Sequence, residues 1–366
     1  GLNVPRIDYT GGGCGKLLLE GQRTNLITYS SDFSNAAWTK QDATITSNAA
    51  ISPDGTLNAD LYTTTTDLYD FVRHSITYTS GVSYTISVFV KEGTSSEISL
   101  SLPSQAFGSN QSANFDISDG TYIITSGSPS VTVEDYGNGW YRCALSATAT
   151  ISATRSTGFS SVASGEVTTL YLYGAQLEAG DYSTSLINTS GSTVTRTAET
   201  CNGAGTSATF NDSEGVLFFE GSALANDGTS RRIAISDGTY SNRIYFEYDE
   251  TANRVYFVVN SGGVNQMNIQ YEATNLTLFN KLLIKYKVND FSVFFNGFKI
   301  ATDLSGSTPI GLSELAFDDG GNTSKFYGKT KQLMTFDTAL TDAELETLTS
   351  WTSFVEMANA LNYTII

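Results

Sequence analysis

Along most of this chain apolar and polar positions alternate with a period of two. Tyr84, Ile86, Val88 and Val90 alternate with Thr85 and Ser87, the pattern of a half-buried strand. Ile98, Leu100 and Leu102 repeat it, and Trp140–Ala147 and Leu170–Tyr173 read as further strands. Gly137-Asn138-Gly139 and Asp119-Gly120 supply turns between them. A second series begins near Gly215: residues 216–221, 243–249, 254–260, 281–288 and 291–301. Asn296-Gly297 between two such runs predicts a two-residue hairpin. The period changes once. Thr341 with Glu344 three residues on forms a capping box, and acidic side chains follow in the first turn, so a short helix is predicted over 342–350.

This pattern predicts an all-β protein of two tandem β-sandwich (jelly-roll) domains. Residues 1–25, with the Gly11-Gly12-Gly13 break, read as a connector. A carbohydrate-binding-module-like sandwich follows over 26–200, and a second jelly roll over 201–352. The Ser/Thr/Gly/Asn-rich stretch 188–213 marks the boundary. Residues 353–366 form a tail rich in apolar side chains, suited to packing on the second domain or on a neighbouring subunit.

Composition supports this reading. The 366 residues include 20 Tyr and 20 Phe, enough apolar area for two cores. The formal net charge is −17, and a surface this acidic repels phosphate backbones, which argues against nucleic-acid binding. No apolar run reaches membrane-spanning length, and no signal-peptide pattern is present. The chain opens on Gly1 and its first methionine is Met267, as expected of a piece or processed product of a longer polypeptide. Cys14, Cys143 and Cys201 match no zinc spacing and no disulfide framework, and are expected as unpaired thiols.

The opening segment, with LLLE, RTNL and YSSDFSNAAW in succession between Leu17 and Trp38, resembles the segments of phage appendage proteins that lead from a shaft into β-sandwich domains. The stretch from NGFKIA at Asn296 through ELAFDDGGNTSKFYGKTKQLMTFDTALTDAELETL is similar to the final third of laminin-G-like, concanavalin A-like jelly rolls. These resemblances imply a head- or tail-fibre protein on the virion surface. They imply a homo-oligomer, a trimer by preference, contacting other virion proteins and host surface polysaccharide. A purely structural fibre or decoration protein, a depolymerase, and the carbohydrate-binding region of a secreted glycan-degrading enzyme are the rival readings.

Candidate chemistry is sparse. His74, the only histidine, reads as structural. Glu247-Tyr248-Asp249-Glu250 approaches the three-carboxylate strand of concanavalin A-like glycosidases, but Ala252 stands where the third carboxylate belongs. The expectation is therefore a protein that is not an enzyme. Sugar rings stack on aromatic platforms flanked by polar groups, and the candidates are Tyr69, Trp140, Tyr141, Tyr240 and Tyr245, with core packing the competing role for Trp140. Asp318, Asp319 and Asn322 on a Gly-rich loop offer the hard oxygen ligands that Ca2+ prefers.

Overall fold

In the computed structural model, which describes residues 4–10, 13–67, 69–162 and 165–351, the chain is almost entirely antiparallel β-sheet. The predicted tail, 353–366, lies outside the described residues. The chain forms two compact units, residues 22–198 and residues 1–21 with 199–366.

The unit 22–198 is a sandwich of two six-stranded sheets. One runs, in spatial order, Thr121–Ser126, Gln111–Asp116, Glu97–Leu102, Ala153–Ser161, Phe71–Tyr78 and Trp38–Gln41. The other runs Ser130–Gly137, Trp140–Thr148, Ser83–Glu92, Thr169–Ala179, Leu57–Thr64 and Ala43–Ile51. The core between them holds Phe33, Trp38, Tyr62, Tyr78, Phe115 and Phe159, together with the predicted inward series Tyr84, Ile86, Val88 and Val90. Strand Ser83–Glu92 departs from the half-buried expectation, because Thr85 and Ser87 on its other face are buried as well. It is a central strand, and the segment after Ala179 folds back over that face. There Glu178 accepts hydrogen bonds from the Thr184 N–H (2.8 Å) and hydroxyl (2.7 Å), and the Ser146 hydroxyl donates to the Asp181 carbonyl.

The second unit packs a seven-stranded sheet against a five-stranded one. The larger runs Ile7–Asp8, Lys16–Leu19, Gly328–Phe336, Glu214–Ala223, Asn280–Lys287, Phe291–Phe295 and Phe298–Asp303. The smaller runs Val264–Glu272, Arg254–Ser261, Arg243–Tyr248, Arg231–Ser236 and Glu314–Ala316. Asn296 and Gly297 both take positive φ, 49° and 85°, as a two-residue hairpin turn requires. The helix forms over Asp342–Thr349, with the Glu344 carboxylate accepting from the Thr341 N–H (2.8 Å) and hydroxyl (2.7 Å). Its Leu345 is buried against Val216, Phe218, Leu283 and Phe294 on the outer face of the seven-stranded sheet.

The connector expected over 1–25 is not what the structure shows. Leu17, Leu18 and Leu19 pair with Thr330, Lys329 and Gly328, and Leu19 enters the core of this unit. Three apolar residues in a row gain more from burial at a sheet edge than from solvation in a linker. Arg6 locks the segment down, reaching both Glu20 (2.5 Å) and Glu199 (2.7 Å). Residues 23–25 belong instead to the other unit, pairing with Val194–Arg196.

Candidate functional site

Strand alternation decides the fate of the predicted aromatics. In the unit 22–198, Trp140 and Tyr141 are neighbours on one strand and therefore point to opposite faces. Trp140 is 2% exposed, packs with Ala59, Phe89 and Tyr173, and donates its indole N–H to the Ile51 carbonyl (3.1 Å). Tyr141 packs half-buried against the sandwich core. Trp140 offers no platform, and Tyr69, 75% exposed, sits on the loop before strand Phe71–Tyr78. Trp140 is thus a correction to the expected binding set.

His74 is structural. The Ser75 carbonyl can only accept, so Nδ1 (3.1 Å) carries the proton and Nε2 accepts from the Thr28 hydroxyl (3.1 Å). The ring stands edge-on to Trp38, and burial holds its pKa below the ordinary histidine value. The carboxylates Glu247 and Asp249 are each held by an arginine of their own, Arg232 (2.7 Å) and Arg254 (2.6 Å). Cys14, Cys143 and Cys201 are all free thiols.

The second unit brings the remaining candidates together. Its five-stranded sheet turns Ile233, Ile235, Ile244, Phe246, Phe257 and Val259 into the core. The alternate positions form the outer face, and the register fixes their rows. Ser236, Arg243 and Asn260 stand opposite one another in one row, Ala234, Tyr245, Val258 and Asn268 in the next, and Arg232, Glu247, Tyr256 and Gln270 in the third. The helix covers the other sheet; on this face Ala234, Tyr245, Val258, Arg243, Glu247 and Asn260 are themselves buried, and Asn268 and Gln270 are exposed.

Guanidinium groups back the rings of this face. Arg243 lies 4.5 Å from the Tyr245 centroid and 5.1 Å from that of Tyr240, and Arg232 lies 5.3 Å from Tyr245. Arg243 donates to the Asp319 carbonyl (2.7 Å), which ties the loop to the sheet. Tyr256 donates to Gln270 Oε1 (3.1 Å) under Arg254. Asn268 and Gln270 are exposed, whereas Arg243 Nε and Asn260 Oδ1 are buried without a hydrogen-bond partner among the described residues. The face therefore sets the half-buried Tyr256 beside the exposed amides, with the Arg232 charge compensated by Glu247 and Asp319. Tyr240, Tyr245 and Asp319 were identifiable from sequence. Arg243, Asn260, Tyr256, Asn268 and Gln270 were missed, although the alternation Met267, Ile269, Tyr271 marks the strand that carries the exposed amides.

The Asp318–Asn322 loop uses its oxygens on itself. Asp319 Oδ1 accepts from the Gly321 and Thr323 N–H groups (3.0 Å each), and Oδ2 accepts from the Thr323 hydroxyl and faces Arg232 (3.8 Å). Asp318 accepts from the Gly320 N–H (2.8 Å), and the exposed Asn322 takes the left-handed conformation (φ 68°) of a turn. Among the described residues no group of three or more His, Cys, Asp or Glu side chains converges as a metal ligand set.

The two aspartates carry opposite consequences for stability. Burial pushes Asp319 up, but its bonds from Thr323 and Gly321 and the Arg232 charge outweigh this and hold it below the usual carboxylate range. Its ionised form thus stabilises the fold at neutral pH, and that contribution is lost as pH falls through the lowered value. Burial pushes Asp318 up, beyond what the Gly320 N–H offsets, so its ionisation opposes folding above the raised value. Asp319→Asn is expected to destabilise this unit by about 2 kcal/mol, since an amide cannot accept from all these donors. Asp318→Asn is expected to raise its melting temperature at pH 7. Calorimetry of the two variants checks both signs.

No protein-family profile matches the chain, and no curated protein matches it either. Solved structures with similar folds include the CBM40 domain of a Ruminococcus gnavus IT-sialidase bound to α2,3-sialyllactose, at 16% identity and TM-score 0.33, over 38% of this chain and 84% of that one. A leech intramolecular trans-sialidase complexed with 2,7-anhydro-Neu5Ac is 15% identical with TM-score 0.33, over 39% of this chain and 24% of that one. Sheep galectin-11 in complex with glycerol is 14% identical with TM-score 0.25, over 33% and 89%. The chain thus spans about a quarter of the leech enzyme and most of the two smaller domains.

Proposed function

We propose that this protein is an adhesive module of a virion appendage that binds host cell-surface glycans on the outer face of its five-stranded sheet. One observation carries the glycan reading: that face sets the exposed Tyr240 and the half-buried Tyr256, each backed by an arginine, with the exposed amides of Asn268 and Gln270. Pyranose rings need an apolar surface for their C–H faces and paired donors and acceptors for their hydroxyls. The virion setting is supported by the resemblance of the segment between Leu17 and Trp38 to phage appendage proteins. Single sites of this shallow kind bind weakly, and many copies on one particle raise the effective concentration enough to hold a cell.

The test is a glycan array probed with the whole chain and with Asn268→Ala/Gln270→Ala. Both side chains are exposed, so the double variant keeps its fold. Binding by the parent and a loss of about tenfold in the variant is the expected result, the size of one lost hydrogen-bonded contact. Absence of any bound glycan would sink the adhesive reading and leave a structural fibre component.

A further inference from the structure

Sheet edges are where β-proteins meet one another, because an edge strand carries a row of unpaired N–H and C=O groups. Nearly every edge in this protein is blocked. Ile7–Asp8, Arg23–Asn25, Val194–Arg196, Trp38–Gln41 and Glu314–Ala316 are only two to four residues long. Ser130–Gly137 carries Glu134 and Asp135 and a bulge. Phe298–Asp303 carries Lys299 and Asp303, and Val264–Glu272 ends on Glu272 with its Gln266 accepting from the Ser307 N–H (3.0 Å) of a neighbouring loop. Ala43–Ile51 is broken by an irregularity between Thr46 and Ala50, with Asn48 at positive φ.

Thr121–Ser126 is the exception. Its sequence, TYIITS, has no charge, no proline and high β-propensity. It pairs with Gln111–Asp116 on one side and has no strand on the other among the described residues. Its irregularity, at Thr125, falls one residue from its end and leaves 121–124 in regular register. Tyr122 and Ile124 stand opposite Phe115 and Ala113, on the core-facing side, yet remain 47% and 43% exposed. Ile123 on the outer side is 71% exposed. The sandwich is thus open along this flank, and the nearest carboxylates, Asp116 and Asp119, are occupied by their own turns through Ser118 and Thr121.

We propose that Thr121–Ser126 is a self-association edge, at which a second copy of this chain pairs its own Thr121–Ser126 antiparallel across a two-fold axis. An antiparallel edge is complementary to itself under two-fold rotation, so the occupant needs no chemistry this strand lacks. Charge points to the same occupant. Two copies at −17 repel over most of their surfaces, and an uncharged strand is where they approach without opposing carboxylates. With the axis at Ile123, Ile123 of one copy faces Ile123 of the other on the outer side, Tyr122 faces Ile124 on the core-facing side, and Asp119 falls opposite Gly127 rather than another acid. The pairing joins two six-stranded sheets into one and covers Tyr122 and Ile124 at the open flank. It is a two-fold arrangement, in place of the trimer that the family resemblance implies.

Light scattering with mass readout on the whole chain tests this, together with hydrogen exchange at low and high protein concentration. The expected result is a dimer in which the amides of 121–126 exchange more slowly as concentration rises. Ile123→Lys places a charge on the outer face of the edge and is expected to give a monomer with an unchanged melting temperature. Val264→Lys, at an exposed position on another edge, is expected to leave the dimer intact. A monomeric parent, a trimer, or a dimer that survives Ile123→Lys overturns the proposal.

Discussion

Removal of residues 1–21 is expected to lower the melting temperature of the second sandwich by roughly 10–20 °C while leaving that of the unit 22–198 in place. The deletion strips Leu17, Leu18 and Leu19 from the sheet, the last two almost fully buried. At about 1.5–3 kcal/mol for each well-buried leucine, the loss is on the order of 5 kcal/mol. It also exposes the edge of strand Gly328–Phe336 and leaves Glu199 without Arg6 and the Glu20 N–H. A domain of this size shifts by about 2–4 °C per kcal/mol, which gives the stated range. Differential scanning calorimetry resolves the question if the units melt separately, as two independent cores predict. A thermogram indistinguishable from the parent would mean that the segment is a linker after all.

The complementary result is expected from Trp38→Ala, which should destabilise the unit 22–198 by about 3–5 kcal/mol and spare the other. Trp38 is buried among Phe33, His74 and Phe159, with ring centroids 5.1, 5.2 and 5.5 Å away. Its indole N–H donates to the Tyr29 carbonyl (2.8 Å). Alanine therefore leaves a cavity and a buried carbonyl without its donor, and both terms destabilise. Urea unfolding followed by far-ultraviolet circular dichroism should show the first transition moving to lower denaturant. A shift below about 1 kcal/mol would mean that the site collapses around the smaller side chain.

Much of the architecture was legible because alternation is a local signal. The series from Tyr84 to Val90, the hairpin at Asn296-Gly297 and the capping box at Thr341 each need only a few adjacent residues to be read. What was misread depends on distant parts of the chain. The outer face of Ser83–Glu92 is covered by residues nearly a hundred positions later, and Leu17–Leu19 find their partners only at 328–330. The candidate site divides in the same way. Tyr240, Tyr245 and Asp319 stood out as an aromatic or acidic residue type. Asn260 and Arg243 gain significance only because the register sets them face to face, which no single stretch of sequence reveals. For Trp140 the sequence left platform and core packing open, because an aromatic pair on a strand looks alike whether its members face the same side or opposite ones; the structure gives it the packing role.

The strand Lys16–Leu19 also sets an order of events during synthesis. It is made long before the residues it pairs with, Gly328–Thr330, with 311 positions between Leu18 and Lys329. The unit 22–198 has all its contacts in hand long before that and can fold as a vectorially emerging domain. The leucine triplet must meanwhile wait unpaired, a contact of very high sequence separation that is formed last. Closing so long a loop adds little further entropy if the intervening domain is already compact. The leucine strand then reports on the making of the second sandwich, since its apolar residues are withdrawn from solvent only once Gly328–Thr330 have emerged.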